Sequence, residues 1–306
     1  MTTDRPFIGV DWGTSRMRAM LCAPNKPAPT KDELVFSDGI AKLKKPVADT
    51  LFDAIAPWVE QYGKLDIVMA GMVGSNIGWK STPYLTCPAE LSELRSLATK
   101  FEENGHTITI LPGARGTNAM GQPDLMRGEE LQILGWMAGH PDVSHEDRLI
   151  CLPGTHTKWA RLQDGRLESF ATSLTGELFA ILKDHSILVP KLTSETATGF
   201  QNASFLKGAK LADQQPNGLL HILFSTRTRY ITNPDELGDP ASFLSGLLIG
   251  SDVKTAIDNC AKPNVIVEVI GDPALGDKYA LAIENLGHTC NFTDGNDAIY
   301  SGFLAV

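Results

Sequence analysis

No stretch of this sequence approaches the length of a membrane-spanning helix, so an integral helical membrane protein is not expected. The opening residues, MTTDRPF, lack the basic region and apolar core of a signal peptide, and no secretory leader is expected either. Basic residues never gather into a block. With a net charge of -9 at pH 7, nucleic acid is not an expected partner. That negative total does not exclude phosphate, because local backbone donors bind anions whatever the overall charge. Cysteine is sparse and odd in number: Cys22, Cys87, Cys151, Cys260 and Cys290 are widely spaced, and no C-x-x-C occurs. Buried thiols in a reducing compartment suit this pattern, so a cytoplasmic location is expected. Also missing are G-x-x-x-x-G-K-[ST], a G-x-G-x-x-G following a strand, and H-E-x-x-H, which leaves a P-loop, a dinucleotide fold and a zinc-protease helix unsupported. Low-complexity segments and short repeats are absent as well.

What remains is an ordinary folded composition: 306 residues, 42% apolar and 21% charged. That length suits one large or two medium domains, with roughly three quarters of the extended-chain surface buried. The chain is organised around Phe7–Ala23, FIGVDWGTSRMRAMLCA, read as a strand, a polar turn and a second strand. Asp11 falls where the first strand ends, and Gly13, Thr14 and Ser15 follow. Glycine permits a tight turn and close approach by a ligand, while the hydroxyls and backbone N–H groups can cradle phosphate oxygens. Asp11 could hold Mg²⁺ directly or through water. The same residues are also ordinary turn formers.

Further strands are expected at Arg18–Cys22, Glu33–Ser37, Ile67–Ala70 and Ile108–Leu111, with a helix over Thr50–Tyr62 despite Pro57. The first three strands could form an antiparallel meander. Gly71–Lys80 and Thr82–Ala89 read as loop, and Pro112–Pro123 as a long polar loop of a length usually tied to function. Asp124 is expected to open a helix running to about Met137, as its N-cap or first-turn acid. A boundary falls in the polar stretch Gly139–Asp147, dividing the chain into residues 1–140 and 141–306. Beyond it, Leu149–Leu152 leads into Pro153–Lys158, PGTHTK, then strands at Trp159–Leu162 and Leu167–Ala171 joined by Asp164–Gly165. The arrangement at Asp11 thus returns at Gly154, 143 residues later. Helices are expected from Gly176, in part of Pro190–Gly218, and over Leu219–Tyr230, Phe243–Asn259, Asp277–Leu286 and Asp297–Val306. A last strand is expected at Asn264–Ile270, ending in Gly271-Asp272.

Two strand–turn–hairpin units suggest two similar lobes facing one cleft, with a nucleotide clamped between them. Several segments carry a family resemblance: VDWGTSRMRA (10–19), AGMVGSNIGW (70–79), LPGARG (111–116), DLMRGEELQILG (124–135), LPGTHTKW (152–159), TGELFAIL (175–182) and FLSGLLIG (243–250). In this order the chain resembles the 2-dehydro-3-deoxygalactonokinases, sugar kinases of the actin and hexokinase superfamily. The resemblance implies two RNase-H-like α/β lobes around a nucleotide and substrate cleft. The C-terminal lobe would be mainly nucleotide-binding, and the terminal helix would pack back on the first lobe. It also implies ATP-dependent phosphorylation of 2-dehydro-3-deoxy-D-galactonate at the 6-hydroxyl, with ATP and Mg²⁺ as cofactors and a small sugar acid as partner. A homodimer is compatible with it. Other readings are a kinase for a different sugar on the same fold, and a nucleotide-regulated actin-like interaction protein.

By that resemblance Asp11, Gly13, Thr14 and Ser15 form the first phosphate loop, with Asp11 on the metal side. Gly154, Thr155 and Lys158 belong to the second, and the Val265–Asp272 segment, Gly271 included, with its following helix forms the adenosine-binding part. Residues 70–84 and 112–127 line the sugar-acid pocket. Phosphoryl transfer needs a carboxylate to orient the attacking hydroxyl, and Asp124 is the expected base, with Glu129 or Glu130 the alternatives. The substrate carboxylate calls for an arginine, Arg115 or Arg127, although either could instead pair with Glu129 or Glu130. Gly74 belongs to the pocket loop, Ser75 and Asn76 could bond sugar hydroxyls, and Trp79 and Tyr84 could wall the pocket or simply pack in the core. Arg18 is expected to brace the loop around Asp11, and His156 to be a satisfied structural or substrate-binding histidine.

Overall fold

The computed structural model describes residues 5–24, 26–30, 33–190, 199–260 and 265–306. They form two compact units: Met1–Glu146 with Leu162–Ser169 and Thr293–Val306, and Asp147–Arg161 with Phe170–Phe292. In the expected segment Pro190–Gly218, residues 191–198 lie outside the described residues, as does Asn264 in the expected strand.

The first unit begins with an antiparallel meander of β1 (Phe7–Trp12), β2 (Arg16–Cys22) and β3 (Val35–Asp38). Helix α1 (Val47–Tyr62) follows, then β4 (Ile67–Gly71), which lies parallel to β1. Next come β5 (Tyr84–Thr86), β6 (Thr99–Glu103), β7 (His106–Ile110), β8 (Gly113–Thr117), β9 (Pro123–Met126) and α2 (Glu129–Gly139). The main sheet has the order β3-β2-β1-β4-β7-β6, and β5, β8 and β9 make a small second sheet. Alternation along β1 puts Ile8, Val10 and Trp12 on one face, packed with Leu51 and Ile55 of α1. The opposite face carries Met20, Val68 and Ala70 with Leu131 of α2.

Two segments expected as loop, Thr82–Ala89 and Pro112–Pro123, contain β5 and β8, and β6 went unanticipated. The expected helix start at Asp124 is also corrected. Asp124 lies in β9, paired with Gly116 of β8, and the helix opens only at Glu129. Pairing along the β8–β9 hairpin overrides the capping preference of an aspartate that follows proline. The chain then turns at Gly128, whose φ of 114° suits glycine alone.

After Glu146 the chain forms β10 (Arg148–Leu152), β11 (Thr157–Gln163) and β12 (Arg166–Ser173), whose connecting stretch Leu162–Ser169 is the part grouped with the first unit, followed by α3 (Thr175–His185). Helices α4 (Asn202–Gln214), α5 (Leu219–Leu223), α6 (Ser225–Thr232), α7 (Pro234–Leu237) and α8 (Pro240–Cys260) come next, so the expected single helix Leu219–Tyr230 is broken after Leu223. The second unit closes with β13 (Ile266–Gly271), α9 (Pro273–Asn285) and β14 (Cys290–Asp294). Its sheet, β12-β11-β10-β13-β14, repeats the spatial order β3-β2-β1-β4-β7 of the first unit, and β10 and β13 are parallel as β1 and β4 are. Its core joins Leu149, Cys151, Val267 and Val269 to Phe205, Val253, Tyr279 and Ile283. The last helix, α10 (Gly295–Ala305), belongs to the first unit, where Ile299 and Phe303 join Leu131 in the core behind the sheet.

Candidate active site

Asp11 sits near the end of β1, directly across the hairpin from Arg18. Arg18 donates to Asp11 Oδ2 at 2.7 Å and to Asn296 Oδ1 at the start of α10, so it braces the acid as expected. On the other side of Asp11 the ends of two more elements close in. Gly71 ends β4 with φ 93°, and a Cβ there would stand 2.7 Å from the carbonyl oxygen of Trp12. A Cβ on Gly128 would stand 3.3 Å from Gly71 Cα and 3.7 Å from Asp11 Oδ1. Gly71 thus lets β4 end close against the backbone of Trp12, and Gly128 keeps the space before Asp11 Oδ1 clear at the N-terminus of α2, where the partial positive charge of a helix favours anions.

Glu129 and Glu130 bring that N-terminus into shape. Glu129 Oε2 accepts from the backbone N–H of Arg127 at 3.1 Å, and both oxygens of Glu130 accept from Gly128 N–H at 2.7 and 2.8 Å. Glu130 is fully buried. Burial, helped by the neighbouring charge of Glu129, pushes its carboxyl up to about 8 against the pull of its hydrogen bonds and of Arg127.

Arg127 is the centre of a second group. Its guanidinium lies 4.2 Å over the ring of Tyr84 and donates to the hydroxyl of Thr82 and, at 3.2 Å, to the Thr82 carbonyl. Its Nε is buried without a hydrogen-bond partner, and its charge acts on the buried carboxyl of Glu130. Gly74 makes room for it, since a Cβ there would stand 2.8 Å from Thr82 Oγ1 and 3.0 Å from the Arg127 NH1 nitrogen. Thr82 escaped the sequence reading because a threonine in a proline-flanked loop carries no signal of its own.

Other sequence-nominated residues sit differently. Ser75 turns its hydroxyl to the Met72 carbonyl at 2.7 Å and shapes its own turn, while Asn76 is exposed. Trp79 packs edge-on against Phe101, with ring centroids 5.0 Å apart, against the core of the main sheet. Arg115 is exposed and donates to Thr86 Oγ1 at 2.9 Å. Asp124 accepts from Asn118 Nδ2 at 3.2 Å and from Leu125 N–H at 2.9 Å, which turns its carboxylate toward the β8–β9 connection. The turn after β1 is tight: Gly13 N–H donates to the Arg16 carbonyl at 2.9 Å, and Thr14 and Ser15 are exposed.

In the second unit the turn after β10 is gripped by the first turn of α3. A Cβ on Gly176 would stand 2.3 Å from the Gly154 carbonyl oxygen, and Glu177 N–H donates to the Thr155 carbonyl at 2.9 Å. His156 Nε2 and Glu177 Oε2 lie 2.5 Å apart at the surface, which satisfies that histidine. Gly271, at the end of β13, lies beside Pro153, and a Cβ there would make ordinary contact with its ring at 3.4 Å. Lys158 is buried, and its ammonium donates to the His156 carbonyl at 3.2 Å.

A model of the 2-keto-3-deoxy-galactonokinase family matches residues 11–306. This chain belongs to that family. The kinase family includes two curated relatives of nearly equal length. A candidate 2-dehydro-3-deoxygalactonokinase of Rhizobium meliloti is 32% identical, covering 100% of this chain and 97% of the relative. The 2-dehydro-3-deoxygalactonokinase of Escherichia coli is 31% identical, covering 98% and 97%. The crystal structure of a candidate 2-dehydro-3-deoxygalactonokinase from Sinorhizobium meliloti superposes with a TM-score of 0.84 at 31% identity, covering 98% and 97% of the two chains. The two-lobed α/β kinase fold expected from the sequence is therefore present.

Proposed function

We infer that this protein is an ATP-dependent kinase that phosphorylates 2-dehydro-3-deoxy-D-galactonate at its 6-hydroxyl. The oxygen of that hydroxyl attacks the terminal phosphorus of ATP, the bond from that phosphorus to ADP breaks, and the hydroxyl proton passes to a carboxylate of the enzyme. The family match over residues 11–306 supports the reaction class. The observation that carries the sugar-acid part is Arg127, a guanidinium held by Thr82 and Tyr84 whose buried Nε has no hydrogen-bond partner. A substrate carboxylate supplies that partner, and charge-assisted bonds of this kind bind strongly.

Glu129 takes the base role in this reading. Asp124 was the expectation because it would open the helix. The residue at that place is Glu129, on the same turn as Arg127 and next to the Gly128 that faces Asp11. Its carboxylate orients the 6-hydroxyl and accepts its proton as bonding to phosphorus advances. Gly13, Thr14 and Ser15 on the first unit, and Gly154 and Thr155 on the second, offer backbone and hydroxyl donors to phosphate oxygens.

A magnesium ion suits Asp11: the donor is a hard carboxylate oxygen, Oδ2 is taken by Arg18, and Gly128 leaves the space before Oδ1 clear. No group of three or more metal-binding side chains exists among the described residues, which suits an ion brought in by the nucleotide's own phosphates. When bound, the ion neutralises developing phosphate charge. All five thiols are free, as suits the reducing cytoplasm we assign to the enzyme.

The test is an ATP-consumption assay across 2-keto-3-deoxy sugar acids and neutral sugars, with the position of the new phosphate assigned by NMR. Turnover that requires the carboxylate and places phosphate on the 6-oxygen supports the reading. Preference for a neutral sugar overturns it.

A further inference from the structure

Beneath the turn after β10 lies a buried polar cluster with no part in the reaction as derived so far. Its centre is the buried carboxylate of Asp252 in α8. Asp252 Oδ1 accepts from Trp159 Nε1 of β11 at 2.9 Å. Oδ2 accepts from the Tyr279 hydroxyl of α9 at 2.8 Å and from the Thr175 hydroxyl of α3 at 2.6 Å. Two more hydroxyls stand behind these donors: Thr157 is 2.7 Å from the Tyr279 oxygen, and Ser173 is 2.6 Å from the Thr175 oxygen.

A carboxylate at the centre sets the direction of every proton here. It accepts only, so Tyr279 and Thr175 must donate to it. Their oxygens are then acceptors: Thr157 donates to Tyr279, and Ser173, which also reaches the Asp252 carboxylate, donates to that carboxylate or to Thr175.

The residues so held frame the turn Pro153–His156. Thr157 is its next residue along the chain. Thr175 begins the turn of helix whose Gly176 and Glu177 press on the carbonyls of Gly154 and Thr155. We propose that Asp252 is a positioning residue for nucleotide binding, fixing through Thr175 and through the Tyr279–Thr157 pair the turn whose Gly154 and Thr155 contact phosphate. This rests on the phosphate role given above to that turn.

Asparagine at 252 keeps the shape but adds two donors where only an acceptor fits, so the hydroxyl directions must break. In the full chain, Asp252→Asn is expected to raise both the Kd for ATP, measured by calorimetry without sugar acid, and the KM for ATP by about tenfold, with the KM for sugar acid unchanged. Thr175→Val should do the same more weakly, and Thr175→Ser should restore wild-type values. Thr175→Val and Thr175→Ser decide the matter if Asp252→Asn does not fold. An unchanged ATP Kd in folded Asp252→Asn or Thr175→Val overturns the proposal, as does equal loss for both substrates. Gly154→Asp, which puts a negative charge on the turn itself, separates the two ideas. If it binds ATP normally, the phosphate role of the turn fails. If it loses ATP while the Asp252 and Thr175 variants do not, only the positioning role fails.

Discussion

Glu129 and Asp124 differ in what holds them, and the difference can be measured. Glu129→Gln keeps size and one acceptor but removes the proton acceptor, so kcat should fall by about 10²-fold or more, about 2.7 kcal/mol, with ATP affinity little changed. Asp124→Asn should stay within about threefold of wild type, since its carboxylate serves the β8–β9 connection. Single-turnover rates compare the two, and a loss confined to Asp124→Asn returns the base role to β9. Arg127→Met keeps an apolar stem over Tyr84 and loses the charge. The KM for the sugar acid should rise about 10- to 100-fold while that for ATP stays put, a split that steady-state kinetics reads directly. Glu130 supplies a pH dependence. Its folded-state value of about 8 lies above the ordinary 4.5, so the folded protein holds that proton more tightly than the unfolded chain. The stabilisation is complete below 4.5 and is lost as pH rises through about 8. Glu130→Gln cannot lose a proton. Between about pH 5 and 9 the Tm of wild type should therefore fall relative to that of the variant, and parallel Tm curves would refute the assignment.

Helices α2 and α10 meet through glycine. A Cβ on Gly135 would stand 1.8 Å from the Ala298 carbonyl oxygen, and one on Gly302 would stand 2.2 Å from that of Leu131. Alanine raises intrinsic helix propensity by about 1 kcal/mol, yet forcing these backbones apart costs about 1–3 kcal/mol. Gly135→Ala should therefore lower stability, as denaturant unfolding would register through a lower midpoint at unchanged slope. Such contacts show what a sequence discloses at this scale. The strand β1, its turn and the hairpin after β10 were legible because apolar alternation and glycine–threonine turns are local. The small sheet was not. Gly113–Thr117 reads GARGT, in which only Thr117 favours a strand, and its extension follows from pairing with β5 and β9. The same pairing moved the helix start from Asp124 to Glu129, the residue proposed above as the base. Arg127 was legible as a charge beside a pocket loop. Its grip by Thr82 was not, because 45 residues separate the two.

At the scale of the molecule, two sheets with one strand order show the same architecture used twice, and the first unit is assembled from three separate stretches of chain. Phe303 of α10 fills the space left by Gly9 of β1, where a Cβ would stand 2.6 Å from its ring. Deleting residues 295–306 should therefore strip hydrogen-exchange protection from β1, β2 and α2 while β10 and β13 stay protected. Equal loss in both units would show that they unfold as one. The bond from Arg18 to Asn296 has a further consequence, for synthesis. The two residues are 278 apart in sequence. At ribosomal speeds of about 5–20 residues per second, the brace of Asp11 waits on the order of 15–55 seconds for its second anchor. Through that interval the nascent chain carries the turn after β1 with an incompletely tethered arginine, so the brace of Asp11 is completed well after the strand that bears it has been made.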